Sequence, residues 1–173
     1  MDFHSSLNLT DYVVVVGYIA ILLSLGFWVS LNRKHSREIF LADHYFPRVK
    51  QIVDAYHEHD MKVFYHLEGN LWPVLDDLAA TGIDGLNPCE PHSHMDVKEI
   101  RTQYPDLILW GGVDNSYMLV YDSPEQVQKR VEELKVFGRD GGLLIGSTGQ
   151  VHPACKLDNL ITMIETVHGH AIV

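Results

Sequence analysis

The feature that most constrains the fold is a regular alternation of short apolar segments and amphipathic helices after residue 45. Helical spacing of apolar residues marks 45–59 and then recurs after each of four apolar segments. Those segments, which we predict to be strands, are "KVFYH" at 62–66, "GIDGLNP" at 82–88, "LILWGGVD" at 107–114 and "GGLLIGS" at 141–147. Continuously apolar strands separated by helices form parallel sheets with right-handed crossovers, so the sequence predicts an α/β fold.

Three local signals set where the helices should begin. Asn70 and Asp96 each precede an apolar helical pattern and are expected to be N-caps. Ser-Pro-Glu-Gln at 123–126 is a capping box with proline at the first helical position. These signals agree with the strand and helix order.

Polar side chains collect immediately after the predicted strands. They are His66, Glu68 and Asn70, then Asn87, Cys89 and Glu90, then Asp114 and Asn115, and finally Ser147, Thr148, Gln150 and His152. Both doubly wound sheets and (β/α)₈ barrels place their sites at the carboxyl ends of parallel strands. A glycine-rich phosphate fingerprint follows none of these strands, which argues against nucleotide binding. From the residues alone, a small doubly wound sheet and half of a barrel both remain open.

The first part of the chain has a different character. Residues 12–32 form 21 uncharged residues, and at about 1.5 Å per residue this run is as long as a hydrocarbon core is thick. Asp2 and Asp11 precede the run, whereas Arg33 and Lys34 follow it. A buried core helix and a cleaved signal peptide are the alternatives. The charge asymmetry favours one membrane helix, with the C-terminal part in the cytoplasm.

Composition separates the two parts further. The chain of 173 residues has a formal net charge of −10, and residues 1–44 hold only four acidic and three basic residues. Residues 45–173 therefore carry a formal charge of about −9, which argues against a nucleic-acid partner. The expected partner is a small-molecule substrate. Cys89 and Cys155 are expected to be free thiols. We predict two domains, a transmembrane segment at 1–44 and an α/β domain at 45–173.

Three motifs carry a resemblance to a known family. They are His-x-x-Gly-Asn at 66–70, Gly-x-Asn-Pro at 85–88 and Trp-Gly-Gly-x-Asp at 110–114. With "GSTGQVHPACKLDNLITMIE" they make residues 45–169 resemble the C-terminal half of the uroporphyrinogen decarboxylase family. That family contains decarboxylases (lyases) of porphyrin biosynthesis and zinc-dependent, corrinoid-linked methyltransferases. The resemblance implies strands five to eight of a (β/α)₈ TIM barrel, here behind a membrane helix.

The N-terminal stretch resembles a different family. "LNLTDYVVVVGYIAILLSLGFWVSLNRKHSREIFLADH" is similar to the N-terminus of sodium:solute symporters, and the two resemblances meet near 39–46. Three functions follow as alternatives: a membrane-anchored, incomplete domain of the decarboxylase family that resembles its methyltransferases; a chimeric or truncated chain without independent catalysis; and a symporter fragment. The later symporter helices are missing, which disfavours the third.

The methyltransferase resemblance implies a candidate metal site. In those enzymes a His-x-Cys pair and a later cysteine hold zinc. Here His66 matches the histidine, Glu68 replaces the first cysteine, and Gly149 falls at the later one. His66 and Glu68 are therefore the expected ligands of a zinc ion, the one cofactor implied. A third ligand would come from Glu90, Cys89 or His152. A purely structural role for the pair and contact with a substrate without metal are the alternatives.

The polar residues at the strand ends give the candidate catalytic and substrate-binding residues. His66, Glu68 and Asp114 are the candidate catalytic residues, with capping of the next turn as the alternative for Asp114. The candidate substrate-binding residues are Asn70, Asn87, Glu90, Gln150 and His152. A tetrapyrrole and a corrinoid protein are the implied partners, although an acidic chain suits a polyanionic tetrapyrrole poorly.

Four strands supply half of a closed barrel, which predicts self-association. Trp110 is expected in the barrel core. The side chains expected on the bare inner face are Val63, Tyr65, Leu86, Leu109 and Leu144. Exposed strand edges and apolar faces favour a homodimer that completes the barrel.

Overall fold

The structure is a computed structural model that describes residues 38–171, together with Ile19, residues 21–25 and residues 27–28. Its helices and strands follow the predicted order. They are α1 (Phe46–His57), β1 (Phe64–His66), α2 (Leu75–Ala80), β2 (Gly85–Cys89), α3 (Val97–Gln103), β3 (Ile108–Val113), α4 (Met118–Tyr121), α5 (Pro124–Phe137), β4 (Leu143–Ser147) and α6 (Leu157–His168). A π-helical turn at Leu41–Tyr45 precedes α1. The short helix α4 was not predicted.

The four strands form one parallel sheet in the order β1-β2-β3-β4. Phe64 pairs with Gly85, Leu86 with Leu109 and Trp110 with Leu144. Helices connect the strands, and the sequential order leaves β1 and β4 at the two edges. This arrangement confirms the α/β fold with a parallel sheet and is consistent with half of a (β/α)₈ barrel.

The chain divides into two units, Met1–Pro47 and Arg48–Val173. In the first, the rings of Phe40 and His44 meet edge to face with centroids 5.7 Å apart. The second contains the sheet. Within the described residues we find no helix with the length and apolar character needed to cross a membrane. Most of the span expected at 12–32 lies outside the described residues, so a membrane helix there stays a prediction.

The hydrophobic core lies between the sheet and the helices. Leu86 and Leu109 are neighbours in the sheet, and both are fully buried. Val127, Val131 and Leu134 of α5 are fully buried as well. The prediction that Leu86 and Leu109 point to a bare inner face is therefore wrong, because the helices cover their side of the sheet.

The opposite side of the sheet is open. Trp110 and Leu144 are paired in register and keep 44% and 46% of their surface exposed. Side chains alternate along a strand, so Phe64 and His66 of β1 lie on this same side of the sheet. Gly85 of β2, which pairs with Phe64, lies on this side as well. Leu144 thus lies on the open face as predicted. Trp110 lies on the same face, which would be the interior of a closed barrel, so its place in a barrel core stays a prediction.

The predicted helix starts are largely confirmed. Asp96 caps α3 by accepting a hydrogen bond from the Lys98 backbone N–H at 2.9 Å. Ser123 and Gln126 form the predicted capping box at α5, with the Ser123 N–H donating to Gln126 Oε1 at 2.9 Å. Asn70 accepts from the Trp72 N–H at 3.0 Å, but the turn that follows, Trp72–Val74, is 3₁₀.

Candidate functional site

The carboxyl edge of the sheet carries a pocket of about 610 Å³. Residues that follow β1, β3 and β4 line it, together with residues of the open face. The lining residues are His66, Glu68, Asn87, Trp110, Asn115, Gly146, Ser147, Gly149 and Gln150. The expected gathering of polar side chains at this edge is thus present in the structure.

A chain of hydrogen bonds orients His66 at the mouth of the pocket. The Asn87 amide donates through Nδ2 to the Trp110 carbonyl at 3.4 Å, which leaves Asn87 Oδ1 as an acceptor. His66 Nδ1 lies 2.6 Å from that oxygen and is therefore the donor. In the neutral imidazole, Nε2 is then the free acceptor. The register brings these groups together, because His66 pairs with Asn87.

Glu68 adds a carboxylate to the pocket two residues beyond β1. It lies in the exposed loop that follows the strand. Gly69 comes next with φ +95°, a backbone conformation that side-chain-bearing residues rarely adopt. The loop therefore turns sharply where the His66 and Glu68 side chains face the pocket.

Asn115 ties the ends of β3 and β4 together. Its Nδ2 donates to the Gln150 carbonyl at 2.9 Å, and its Oδ1 accepts from Thr148 Oγ1 at 3.2 Å. A side chain at Gly149 would meet Asn115 Nδ2 at 2.8 Å, so glycine is needed there. These bonds hold the wall of the pocket opposite His66.

Asp114 lies apart from His66 and Glu68. It is buried, and its Oδ1 accepts from the Tyr117 N–H at 2.5 Å, which caps the turn into α4. It lines a second pocket of about 380 Å³ together with Pro91, His92 and Arg130. The geometry thus favours the capping alternative, and a catalytic role for Asp114 stays a prediction.

Of the five candidate substrate-binding residues, two line the main pocket and three do not. Asn87 and Gln150 line it. Asn70 bonds its own turn, and Glu90 accepts from Ser93 Oγ. His152 Nε2 lies 3.1 Å from the Asn115 carbonyl, so the imidazole secures the loop.

The donors present do not make a zinc site around His66 and Glu68. Burial raises the pKa of the Cys89 thiol to about 11, and its Sγ donates to the Leu86 carbonyl at 3.6 Å. Cys155 Sγ lies 3.4 Å from the Asn115 carbonyl. In the described part of the chain, no three His, Cys, Asp or Glu side chains lie close enough to share a metal ion. The third ligand expected from Glu90, Cys89 or His152 is not in place.

The sequence did not predict that Trp110 lines the pocket, because Trp110 lies in an apolar strand. Ser147 is among the polar residues expected at the end of β4, and its Oγ donates to the Gly149 carbonyl at 2.7 Å. Alternation within β3 is the signal for Trp110, since Leu109 and Trp110 must face opposite sides.

The comparisons with known proteins identify the family. The profile of the uroporphyrinogen decarboxylase (URO-D) family matches residues 36–170. The chain belongs to this family. The match begins ahead of the join expected at 39–46, and the symporter resemblance of the N-terminal residues stays a prediction.

A solved structure supports the same fold. A methyltransferase from Methanosarcina mazei superposes with a TM-score of 0.61 at 18% sequence identity. The similarity covers 75% of this chain and 36% of that one. The chain therefore spans about a third of the length of the methyltransferase. Among curated proteins, no sequence matches.

Proposed function

We propose that this URO-D family domain binds a small neutral or cationic molecule in the carboxyl-edge pocket, on the methyltransferase side of the family. The observation that carries the proposal is the His66–Asn87 hydrogen bond of 2.6 Å at the mouth of that pocket. It fixes the ring so that Nε2 is available to accept a hydrogen bond or a proton from a ligand.

The charge of the pocket favours this side of the family over tetrapyrrole decarboxylation. None of the described residues that line it is lysine or arginine, whereas Glu68 contributes a carboxylate. A polycarboxylate tetrapyrrole requires basic partners that this wall does not offer. A neutral or cationic ligand avoids the repulsion from Glu68.

Trp110 supplies the apolar part of the same wall. Its ring is 44% exposed and lies on the open face beside Asn87. An exposed indole face attracts methyl groups and organic cations, and a nearby carboxylate adds to the attraction for a cation. Trp110 and Glu68 together suit a methyl-bearing ligand.

Zinc takes no part in this proposal. His66 and Glu68 offer one nitrogen and one carboxylate, whereas catalytic zinc sites use three protein ligands. The donor set of the described residues is short by one, so the chemistry assigned here rests on His66 as hydrogen-bond acceptor. Metal analysis of the purified protein should give clearly less than one zinc per chain.

Binding without independent turnover is the second candidate function. It is favoured by one observation: the similarity covers 36% of the methyltransferase chain. The remaining strands of a barrel would provide the other walls of an enclosed site. We therefore expect measurable ligand binding by this chain and little turnover. We also infer that the domain lies in the cytoplasm behind an N-terminal membrane helix.

Calorimetry on the full chain in detergent tests the proposal. The probes are trimethylammonium and methanol, which each carry methyl groups and can donate a hydrogen bond to His66 Nε2, and a porphyrin octacarboxylate. We expect one of the first two to bind, and His66→Ala and Asn87→Ala each to weaken its binding by about tenfold, the loss of one hydrogen bond. His59→Ala, an exposed histidine away from the pocket, is the control. Preferred binding of the porphyrin, or binding unaffected by His66→Ala, would contradict the proposal.

A further inference from the structure

We propose that a second copy of this chain covers the open face of the sheet, so that two four-stranded halves close into one eight-stranded barrel. The inference concerns assembly and does not depend on which ligand the pocket binds. It rests on the edges of the sheet, on the residues of its open face and on their charge.

The two edges of the sheet offer unpaired backbone. The Val63 carbonyl accepts from Gly85 N–H at 3.2 Å, and the Leu67 N–H donates to Asn87 at 3.0 Å, so these residues face β2. By alternation, the backbone groups of Phe64 and His66 face away from β2. At β4, the Thr148 N–H donates to the Val113 carbonyl, and the Gly142 carbonyl accepts from the Leu109 N–H. By the same alternation, the backbone groups of Leu143 and Ile145 face away from β3. Among the described strands, nothing pairs with either edge.

Each chain therefore has two edge strands, β1 and β4, and the β1 edge of one copy can pair with the β4 edge of another. We call such a pairing a seam. A two-fold axis along the barrel preserves strand direction, so β1 of one copy can run parallel to β4 of its partner, and the reverse pair forms at the other seam. Four strands from each copy give eight, the number at which side chains fill a barrel interior. Both carboxyl edges, and thus both His66 pockets, then lie on the same rim.

The open face has the character of an unfinished core. Trp110 and Leu144 are 44% and 46% exposed, and Phe64 and Ile108 on the same side are half-buried. Apolar surface of this kind on one side of a sheet is stabilised by a partner that excludes water.

Charge explains why another copy of the same chain is an acceptable partner. The protein is strongly acidic, with a formal net charge of −10, so two copies repel wherever carboxylates oppose one another. The strand residues on the open face are Phe64, His66, Gly85, Asn87, Ile108, Trp110, Leu144 and Gly146, and none is acidic. Two copies can meet there without placing acid against acid.

Sedimentation of the full chain in detergent tests the assembly directly. We expect a species with two chains at tens of micromolar protein. Leu144→Glu places a charge on the covered face and should raise the dimer dissociation constant by at least about tenfold. Val136→Glu is the matched control, because Val136 is a 62% exposed apolar residue on α5, away from the open face. A monomeric wild type, or equal effects of the two variants, would overturn the proposal.

Crosslinking tests which edges meet. In a Cys155→Ser background, Phe64→Cys and Leu144→Cys chains with different tags are coexpressed, purified together and treated with a short bis-maleimide. The seam predicts a crosslink between the two different chains and little between two copies of either variant. A crosslink of Leu144→Cys to itself would show the faces stacked and overturn the barrel arrangement.

Discussion

The rings of Phe64 and Trp110 meet edge to face on the open side of the sheet, with centroids 6.1 Å apart and planes at 90°. Gly85 makes this contact possible, since it pairs with Phe64 in the strand between them. A Cβ on Gly85 would lie 2.4 Å from Phe64 Cε1 and 2.8 Å from the Ile108 carbonyl oxygen. The missing side chain in β2 therefore lets the Phe64 ring lie across the sheet toward Trp110.

Gly85→Ala should destabilise the domain by about 1–3 kcal/mol, the usual cost of overpacking. The added methyl group must displace both the Phe64 ring and part of the β2–β3 backbone pairing. Chemical denaturation of the full chain measures the free energy of unfolding. Near-ultraviolet circular dichroism should also change, because the environment of Trp110 changes.

Gly146→Ala is the control on the same face. There the nearest atom to a new Cβ is Trp110 Nε1 at 3.3 Å, which is a side-chain atom and not backbone. We expect a smaller loss of stability than for Gly85→Ala. Equal losses of stability would show that the Phe64 ring is not the reason why position 85 excludes a larger residue.

Much of the fold was predictable because its signals are local. Asp96 and the Ser123–Gln126 box cap their helices as predicted, since a cap depends on a few neighbouring residues. The parallel sheet followed from strands that are apolar throughout. For the same reason, the sequence did not predict which side of each strand faces the helices. Leu109 and Trp110, for example, are both apolar, although only Leu109 is buried against the helices.

The sequence predicted at which edge of the sheet the candidate site lies, but not which side chains at that edge face the pocket. Asp114, Gln150 and His152 follow strands, and Asn87 lies within β2 near its end. Asp114 turns back to the Tyr117 N–H, and His152 lies against the Asn115 carbonyl. Such local hydrogen bonds depend on the path of the loop, which spacing does not encode.

The two thiols should differ strongly in reactivity. Cys89 is fully buried and its pKa is raised to about 11 by that burial, so little thiolate forms at neutral pH. Cys155 is half-buried. With Ellman's reagent on the folded chain, we expect one fast thiol, lost in Cys155→Ser, and a second that reacts only after unfolding. Fast labelling of Cys89 would indicate that the core between sheet and helices opens readily.

The orientation of the chain in a membrane is testable with reporter fusions. Arg33 and Lys34 follow the uncharged run at 12–32, so the C-terminus should be cytoplasmic. A C-terminal green fluorescent protein fusion should fluoresce, and a C-terminal alkaline phosphatase fusion should be inactive. Replacing both basic residues by glutamate should weaken this bias. An active phosphatase fusion to the unaltered chain would contradict the orientation.

Asp84 should make the stability of the domain depend on acid pH. Its Oδ1 accepts from Lys62 Nζ at 2.7 Å, and its Oδ2 accepts from the Val63 N–H at 2.8 Å and from His57 Nε2 at 2.7 Å. Burial raises the pKa of this carboxyl, but the hydrogen bonds from Lys62, Val63 and His57 outweigh it and lower the pKa from 3.8 to about 2.

The sign follows from this lowered pKa. The unfolded chain takes up the proton first as the pH falls, so the contribution of Asp84 is complete above about pH 4 and is lost between about pH 4 and pH 2. A shift of this size corresponds to about 2 kcal/mol. Asp84→Asn should lose about that much stability at neutral pH and flatten the decline in the acid range, as followed by denaturation at several pH values. Asp140→Asn, at an exposed aspartate in the turn before β4, should leave both the stability and its pH dependence unchanged. If Asp84→Asn kept the steep acid decline of the wild type, other carboxylates would be responsible for it.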